Sequence, residues 1–194
     1  MTVAHIRTAL AGHAPLEFTA RRRAAVAIVL HEAPPGVEML FIERAQRLGD
    51  PWSGQMAFPG GRMGPADTDA RAAAERETRE EVGLDLRDAE VLGRLDDLQA
   101  GVRLVAPLVL SAFVYRIEAP PSLVPNHEVR AALWVPVHRL LDPAWHVRYR
   151  WGFGRFPGIL VGEPDRHVVW GLTYQLLEGL FAVVGVPPLR RGWW

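Results

Sequence analysis

A glycine pair followed by glutamates at helical spacing constrains this chain more than anything else in it. Phe58-Pro59-Gly60-Gly61 leads through the turn formers Gly64-Pro65-Ala66-Asp67 into residues 68–84, where alanine, arginine and glutamate dominate. That composition predicts one helix, capped by Asp67, Thr68 or Asp69 and stopped at Gly83. At about 100° per residue, Glu77, Glu80 and Glu81 stand at i, i+3 and i+4 and share one arc of it. Each like-charge pair costs roughly 0.2–0.5 kcal/mol, and the C-terminal end of the helix dipole disfavours anions by roughly 0.3–1 kcal/mol. A solvated face, neutralised by Arg76–Glu80 and Glu75–Arg79 pairs, is the plainest account of such a triplet. The neighbouring glycines favour another, because hard divalent cations choose clustered carboxylates and backbone carbonyls, and Gly60 and Gly61 let a loop backbone come close.

Glycine pair, loop, helix and terminal Arg-Glu-x-x-Glu-Glu-x-Gly stand together in an order that resembles the Nudix box. Arg76, Glu77, Glu80, Glu81, Gly83 and Leu84 match that pattern position by position. Three departures accompany the match. Gly61 to Arg76 is one residue longer than the general pattern, Asp67 stands near the place of its first glutamate, and Thr78 replaces an aliphatic residue. The longer loop resembles the coenzyme A pyrophosphatase branch of the family. Upstream, Leu40, Arg44, Ala45 and Gly54 fit that branch, whereas Ile42 replaces its threonine and Asp50 lies where its second arginine is expected. Pro125-Asn126-His127-Glu128-Val129, Trp134-Val135-Pro136 and Val169-Trp170-Gly171-Leu172-Thr173 resemble further features of the same branch.

The 194 residues, 49% of them hydrophobic, suffice for one core, so a single domain over 1–194 is expected, with the resemblance strongest over 24–184. Twenty-two arginines balance twenty-two acidic residues, which argues against nucleic acid or an anionic membrane as partner. Cysteine is absent, removing disulfides, thiolate nucleophiles and cysteine-based zinc sites from consideration. With no leader-like start and no apolar run of membrane-spanning length, a cytoplasmic location is expected.

In chain order, an N-terminal extension over 1–20 is expected, with a short helix from Thr2 to about Gly12 that carries Val3, Ile6 and Leu10 on one face. Arg21-Arg22-Arg23 reads as the lead-in to a buried strand at 24–30 more readily than as a phosphate site. Pro34-Pro35-Gly36 turns the chain into a partner strand at 37–43. After the box, 89–95 and 102–117 predict strands, interrupted by Asp96-Asp97 and Pro107, and 149–156 a hairpin bent at Gly152 and Gly154. A final helix opening at 169 presents Leu172, Leu176, Leu180 and Val183 as a core face. The tail, 187–194, carries Trp193 and Trp194, which have two docking places open to them, the body of the domain or a second copy in a homodimer.

The order of elements predicts an α/β chain with a mixed sheet between helices. The resemblance implies the Nudix fold, an α/β/α sandwich, with Glu77, Glu80, Glu81 and the Gly60 carbonyl as ligands for Mg²⁺ or Mn²⁺. It also implies that Arg76 holds the glutamates in place. The general base is open among Glu80, Glu81 and Glu128, and Arg44, Arg62 and His127 are candidates for substrate phosphate. Divalent cations suit a diphosphate because they neutralise its oxygens and acidify water. The implied activity is metal-dependent hydrolysis of a small nucleoside-diphosphate-linked substrate. Coenzyme A or acyl-CoA leads, with adenosine 3',5'-bisphosphate and 4'-phosphopantetheine as products. ADP-ribose, dinucleoside polyphosphates or nucleoside triphosphates are the alternatives, and a nucleotide-binding module without turnover is the reading from outside enzymes.

Overall fold

The structure, a computed structural model, describes residues 1–49, 52–100 and 107–189. Asp50, the strand residues expected at 102–106 and the tail from Arg190 lie outside the described residues. The elements run α1 (Val3–Ala11), β1 (Arg22–Ala33), β2 (Gly36–Arg44), β3 (Met56–Ala57), β4 (Gly60–Arg62), α2 (Ala70–Val82), β5 (Glu90–Arg94), β6 (Leu98–Ala100) and β7 (Leu108–Arg116). They continue as β8 (Val129–Pro136), α3 (Val137–Leu141), a short 3-10 turn, β9 (His146–Trp151), β10 (Gly154–Leu160), β11 (Val168–Trp170) and α4 (Gly171–Val183).

Eight of the described strands form one mixed sheet. Its spine is β3-β2-β1-β7-β5, with β1 and β7 parallel and the remaining pairs antiparallel. Period-two alternation assigns each central strand to two cores. Ala25, Ala27 and Val29 of β1, Leu40 and Ile42 of β2, and Phe113 and Tyr115 of β7 face α2. Ile28 and Leu30, Met39 and Phe41, and Ala112 and Val114 face α1, α3 and α4 on the other side. The expected α/β sandwich with a mixed sheet is therefore the fold observed.

Small residues set how close α2 lies. Ala70, Ala73 and Ala74 pack on Ala25 and Ala27, all nearly fully buried, so the helix backbone rides low over the sheet beside β4. Thr78 lies on this buried face, where the box has an aliphatic residue. Its hydroxyl donates to Ala74 O at 2.7 Å, which removes the penalty for burying it.

Two expectations need correction. Val169 and Trp170 belong to β11, and the helix starts at Gly171, because these residues pair with Ile159 and Gly158 of β10 to complete a second, three-stranded sheet. Leu176 and Leu180 are buried as expected, but Leu172 and Val183 are only partly covered, and Tyr174, Leu177 and Phe181 share the face instead. Among the described residues no helix is long and apolar enough to cross a membrane.

Candidate active site

The glutamate helix is held at both ends, and a second loop is built onto its last turn. Asp69 caps α2 by accepting the Ala72 N–H at 2.8 Å, and Gly83, at φ +72°, closes it with its own N–H on Arg79 O. The Val82 and Glu81 carbonyls accept the N–H groups of Val124 and Asn126, both at 2.9 Å. Asn126 Oδ1 in turn accepts the Glu128 N–H at 2.7 Å. Glu128 is thus positioned by the same helix end that carries Glu80 and Glu81.

Burial separates carboxylates that share an arc. Glu81 is 3% exposed, and its Oε2 accepts the Gly60 N–H at 2.9 Å. Desolvation pushes its pKa up to about 8, partly opposed by the Gly60 bond, with Glu77 and Glu128 adding repulsion and Arg44 relieving it. Glu77 is also raised by burial, against the pull of Arg76 and with further repulsion from Glu80 and Glu128. Glu80, with 51% of its side chain exposed, faces solvent.

One guanidinium ties the loop to the helix. Arg76 Nε and Nη2 grip Asp67 Oδ1 and Oδ2 at 2.9 Å each, and Nη1 reaches Glu77 at 3.0 Å and Glu80 at 3.1 Å. Nη2 also donates to Arg62 O at 3.1 Å. Asp67 accepts the Gly64 N–H at 2.7 Å as well, and its carboxyl is held below the usual range, mainly by Arg76. Asp67 is therefore no helix cap. Glu75 likewise departs from expectation, bonding Arg71 at 2.7 Å and the Tyr115 hydroxyl at 3.1 Å in place of Arg79.

The glycines are set by space. At Gly60, φ is +148° and a Cβ would collide with Ala25 O and the Val26 backbone; at Gly61 it would stand 2.5 Å from Glu77 Cδ. Arg44 ends β2 within electrostatic reach of Glu81. Arg62 enters through its carbonyl, with its residue exposed, and His127, 79% exposed, lies 3.8 Å from Glu128. The structure thus brings Glu77, Glu80, Glu81, Arg76 and Gly60 together, sets Glu128 and Arg44 against them, and leaves His127 and the Arg62 side chain at the rim. Sequence reasoning passed over Arg47, whose Nη2 meets Glu128 Oε1 at 2.8 Å, because nothing local marks a pair so far apart in the chain.

Among the described residues no three His, Cys, Asp or Glu side chains stand assembled as a finished metal cluster. The donor set nevertheless suits a hard divalent cation. It offers mutually repelling carboxylates, two of them penalised by burial, against a glycine backbone with no room for a side chain.

Residues 20–152 match the NUDIX domain. The chain belongs to the Nudix hydrolase family. NudL of Citrobacter koseri, an uncharacterised Nudix hydrolase, is 30% identical over 173 residues, covering 87% of this chain and 85% of its own. An uncharacterised Schizosaccharomyces pombe protein is 40% identical over 115 residues, or 57% of this chain, and the match spans 35% of that protein's length. Among solved structures, a MutT/nudix family protein of Enterococcus faecalis aligns with 95% of this Nudix hydrolase and 75% of its own chain, at 15% identity and TM-score 0.55. The NUDIX domain of Shewanella oneidensis NrtR, solved with ADP ribose, covers 73% and 87% at 19% identity and TM-score 0.51. At these identities the two structures speak for the fold alone.

Proposed function

We propose that this Nudix hydrolase cleaves the diphosphate of coenzyme A or an acyl-CoA with Mg²⁺ or Mn²⁺, giving adenosine 3',5'-bisphosphate and (acyl-)4'-phosphopantetheine. The observation that carries the hydrolytic part is the buried Glu81, bonded to Gly60 and repelled by Glu77 and Glu128. Glu77, Glu80 and Glu81, with the Gly60 carbonyl, would hold the cation. A divalent cation supplies neutralisation of the diphosphate oxygens and acidification of water. Water adds to phosphorus, the P–O bond of the anhydride breaks, and the proton of the water passes to a carboxylate. Glu81 and Glu128 both face the site for that task, and the pH–rate profiles of Glu81→Gln and Glu128→Gln separate them. Arg76 orients Glu77 and Glu80 through the bonds described above.

The choice of coenzyme A is supported by the upstream segment, in which Arg44 matches the branch and acts on Glu81. The same segment's departures, Ile42 and Asp50, support a second reading with ADP-ribose, a dinucleoside polyphosphate or a nucleoside triphosphate as substrate. Purified protein with Mg²⁺ or Mn²⁺ is to be assayed against coenzyme A, acetyl-CoA, dephospho-CoA, ADP-ribose, NADH, diadenosine polyphosphates and nucleoside triphosphates, with products separated by chromatography. Preferential release of adenosine 3',5'-bisphosphate is expected. Turnover of another compound with coenzyme A untouched would select the second reading, and nucleotide binding with no turnover would overturn both.

Gly61→Ala tests the metal site directly. The added Cβ displaces the Glu77 carboxylate, so Mn²⁺ affinity, read from the EPR signal of free Mn²⁺, is expected to fall by about 10–100-fold. The far-ultraviolet circular dichroism should be unchanged, since Glu77 is a side chain that can rotate away.

A further inference from the structure

The described residues between β2 and β3 present one side chain to Glu128. Gly54 N–H donates to Arg44 O at 3.0 Å, Arg44 N–H donates to Gln55 O at 3.0 Å, and Ala45 N–H donates to Glu128 O at 2.8 Å. Among these residues, Ser53 Oγ accepts the Arg47 N–H at 2.9 Å and donates to Arg47 O at 3.0 Å. A single hydroxyl thereby satisfies both backbone groups of Arg47 and fixes where its side chain starts. From there Nη2 reaches Glu128 Oε1 at 2.8 Å, and both side chains are nearly half exposed. An exposed pair of this kind contributes little to stability, so stability does not account for the hold that Ser53 keeps on Arg47.

Glu128 has two claimants. Its backbone is tied through Asn126 to the Glu81 carbonyl, at the helix end that carries Glu80 and Glu81, so a cation among those carboxylates would draw Glu128 toward itself. Arg47 would then lose its partner beside the place where a diphosphate must lie. A guanidinium released there meets phosphate oxygens with matching two-pronged geometry.

We propose that Arg47 is a substrate-binding residue that exchanges Glu128 for a phosphate oxygen of the diphosphate once the cation is bound, with Ser53 holding its backbone in position. The proposal rests on the diphosphate-cleaving reading above and goes beyond it by naming a residue and an exchange of partners. Arg47 competes with the cation for Glu128 before substrate arrives and assists substrate afterwards. The two effects of its removal therefore have opposite sign.

The test uses the full chain as wild type, Arg47→Ala, Arg47→Lys and Ser53→Ala, with Mn²⁺ binding measured by EPR in the absence of substrate and steady-state kinetics on whichever nucleotide the wild type cleaves. Arg47→Ala is expected to tighten Mn²⁺ binding about 2–5-fold, as expected for loss of an exposed competing ion pair. KM should rise about 10–100-fold with kcat nearly unchanged, as expected for loss of a charged hydrogen bond to substrate. Arg47→Lys should recover part of the KM, and Ser53→Ala should raise KM about 5-fold. Weaker Mn²⁺ binding in Arg47→Ala, or a fall in kcat with KM unchanged, would overturn the exchange. If Arg47→Ala does not fold, Arg47→Lys and Ser53→Ala carry the same comparison. If the wild type cleaves nothing in the panel, the hydrolytic reading fails separately, while the Mn²⁺ measurement still reports whether Arg47 competes for Glu128.

Discussion

Glu81→Gln is expected to lower kcat by on the order of 10²–10⁴-fold and yet to give a metal-free protein that is more stable than the wild type at pH 8. Both effects come from one buried carboxylate. Its pKa in the folded protein, about 8, lies above the ordinary 4.5 because burial disfavours the anion. Between those values the folded state holds a proton that the unfolded chain has released, so stability falls as pH rises through this window and levels off above it. Glutamine keeps an oxygen for the Gly60 N–H and has nothing to ionise. Urea denaturation in EDTA at pH 5 and pH 8 should show the wild type losing more stability than the variant between them, the raised Glu77 carboxyl contributing to both. Added Mn²⁺ should restore the wild type at pH 8, because the cation binds the ionised carboxylate. Its apparent affinity should drop by up to about tenfold for each pH unit below 8 as protons compete. An identical pH dependence in both proteins would show that Glu81 does not carry this buried charge.

The helix and its carboxylates were legible because they are local. Asp69, the alanines and Gly83 specify α2 from within its own span, and the i, i+3, i+4 spacing of Glu77, Glu80 and Glu81 follows from helix geometry alone. Which of the three is buried was not legible, since that depends on β1 and the Gly60 backbone lying above one side of the arc. Asp67 shows the limit of local reading. It stands among three eligible caps, and only the distance folded away between the loop and Arg76 reveals that it binds a guanidinium and leaves the cap to Asp69. Trp170 was misassigned for a related reason. The Val169-Trp170-Gly171-Leu172-Thr173 segment resembles a helix start and gives no sign of a strand partner, but pairing with Gly158 of β10 wins the backbone. Arg47 and Glu128 meet across the sheet, through a register that no window of the chain contains.

Arg76→Lys is the second large effect and distinguishes a charge at this position from a shape. A guanidinium here meets five oxygens: both of Asp67, one each of Glu77 and Glu80, and the Arg62 carbonyl. An ammonium is a point charge with three donors and no fixed fork, so it cannot hold the two Asp67 oxygens and both glutamates together. The expected loss in stability is about 1.5–3 kcal/mol, the usual range for a hydrogen bond to a charged group. The expected loss in kcat is about 10–100-fold, as for other groups that orient metal ligands without binding metal themselves. Saturating Mn²⁺ should recover only part of it, because affinity and orientation are separate losses. Asp67→Asn completes the comparison. The Asp67 carboxyl lies below its ordinary 3.8 in the folded protein, so its stabilising contribution is full above that value and is lost as pH falls through the lower, folded value. The asparagine variant should therefore lose stability at neutral pH and show a flatter acid limb. Full activity and unchanged stability in Arg76→Lys would mean that net charge suffices to hold Glu77 and Glu80, and that the bidentate grip on Asp67 contributes nothing to the site.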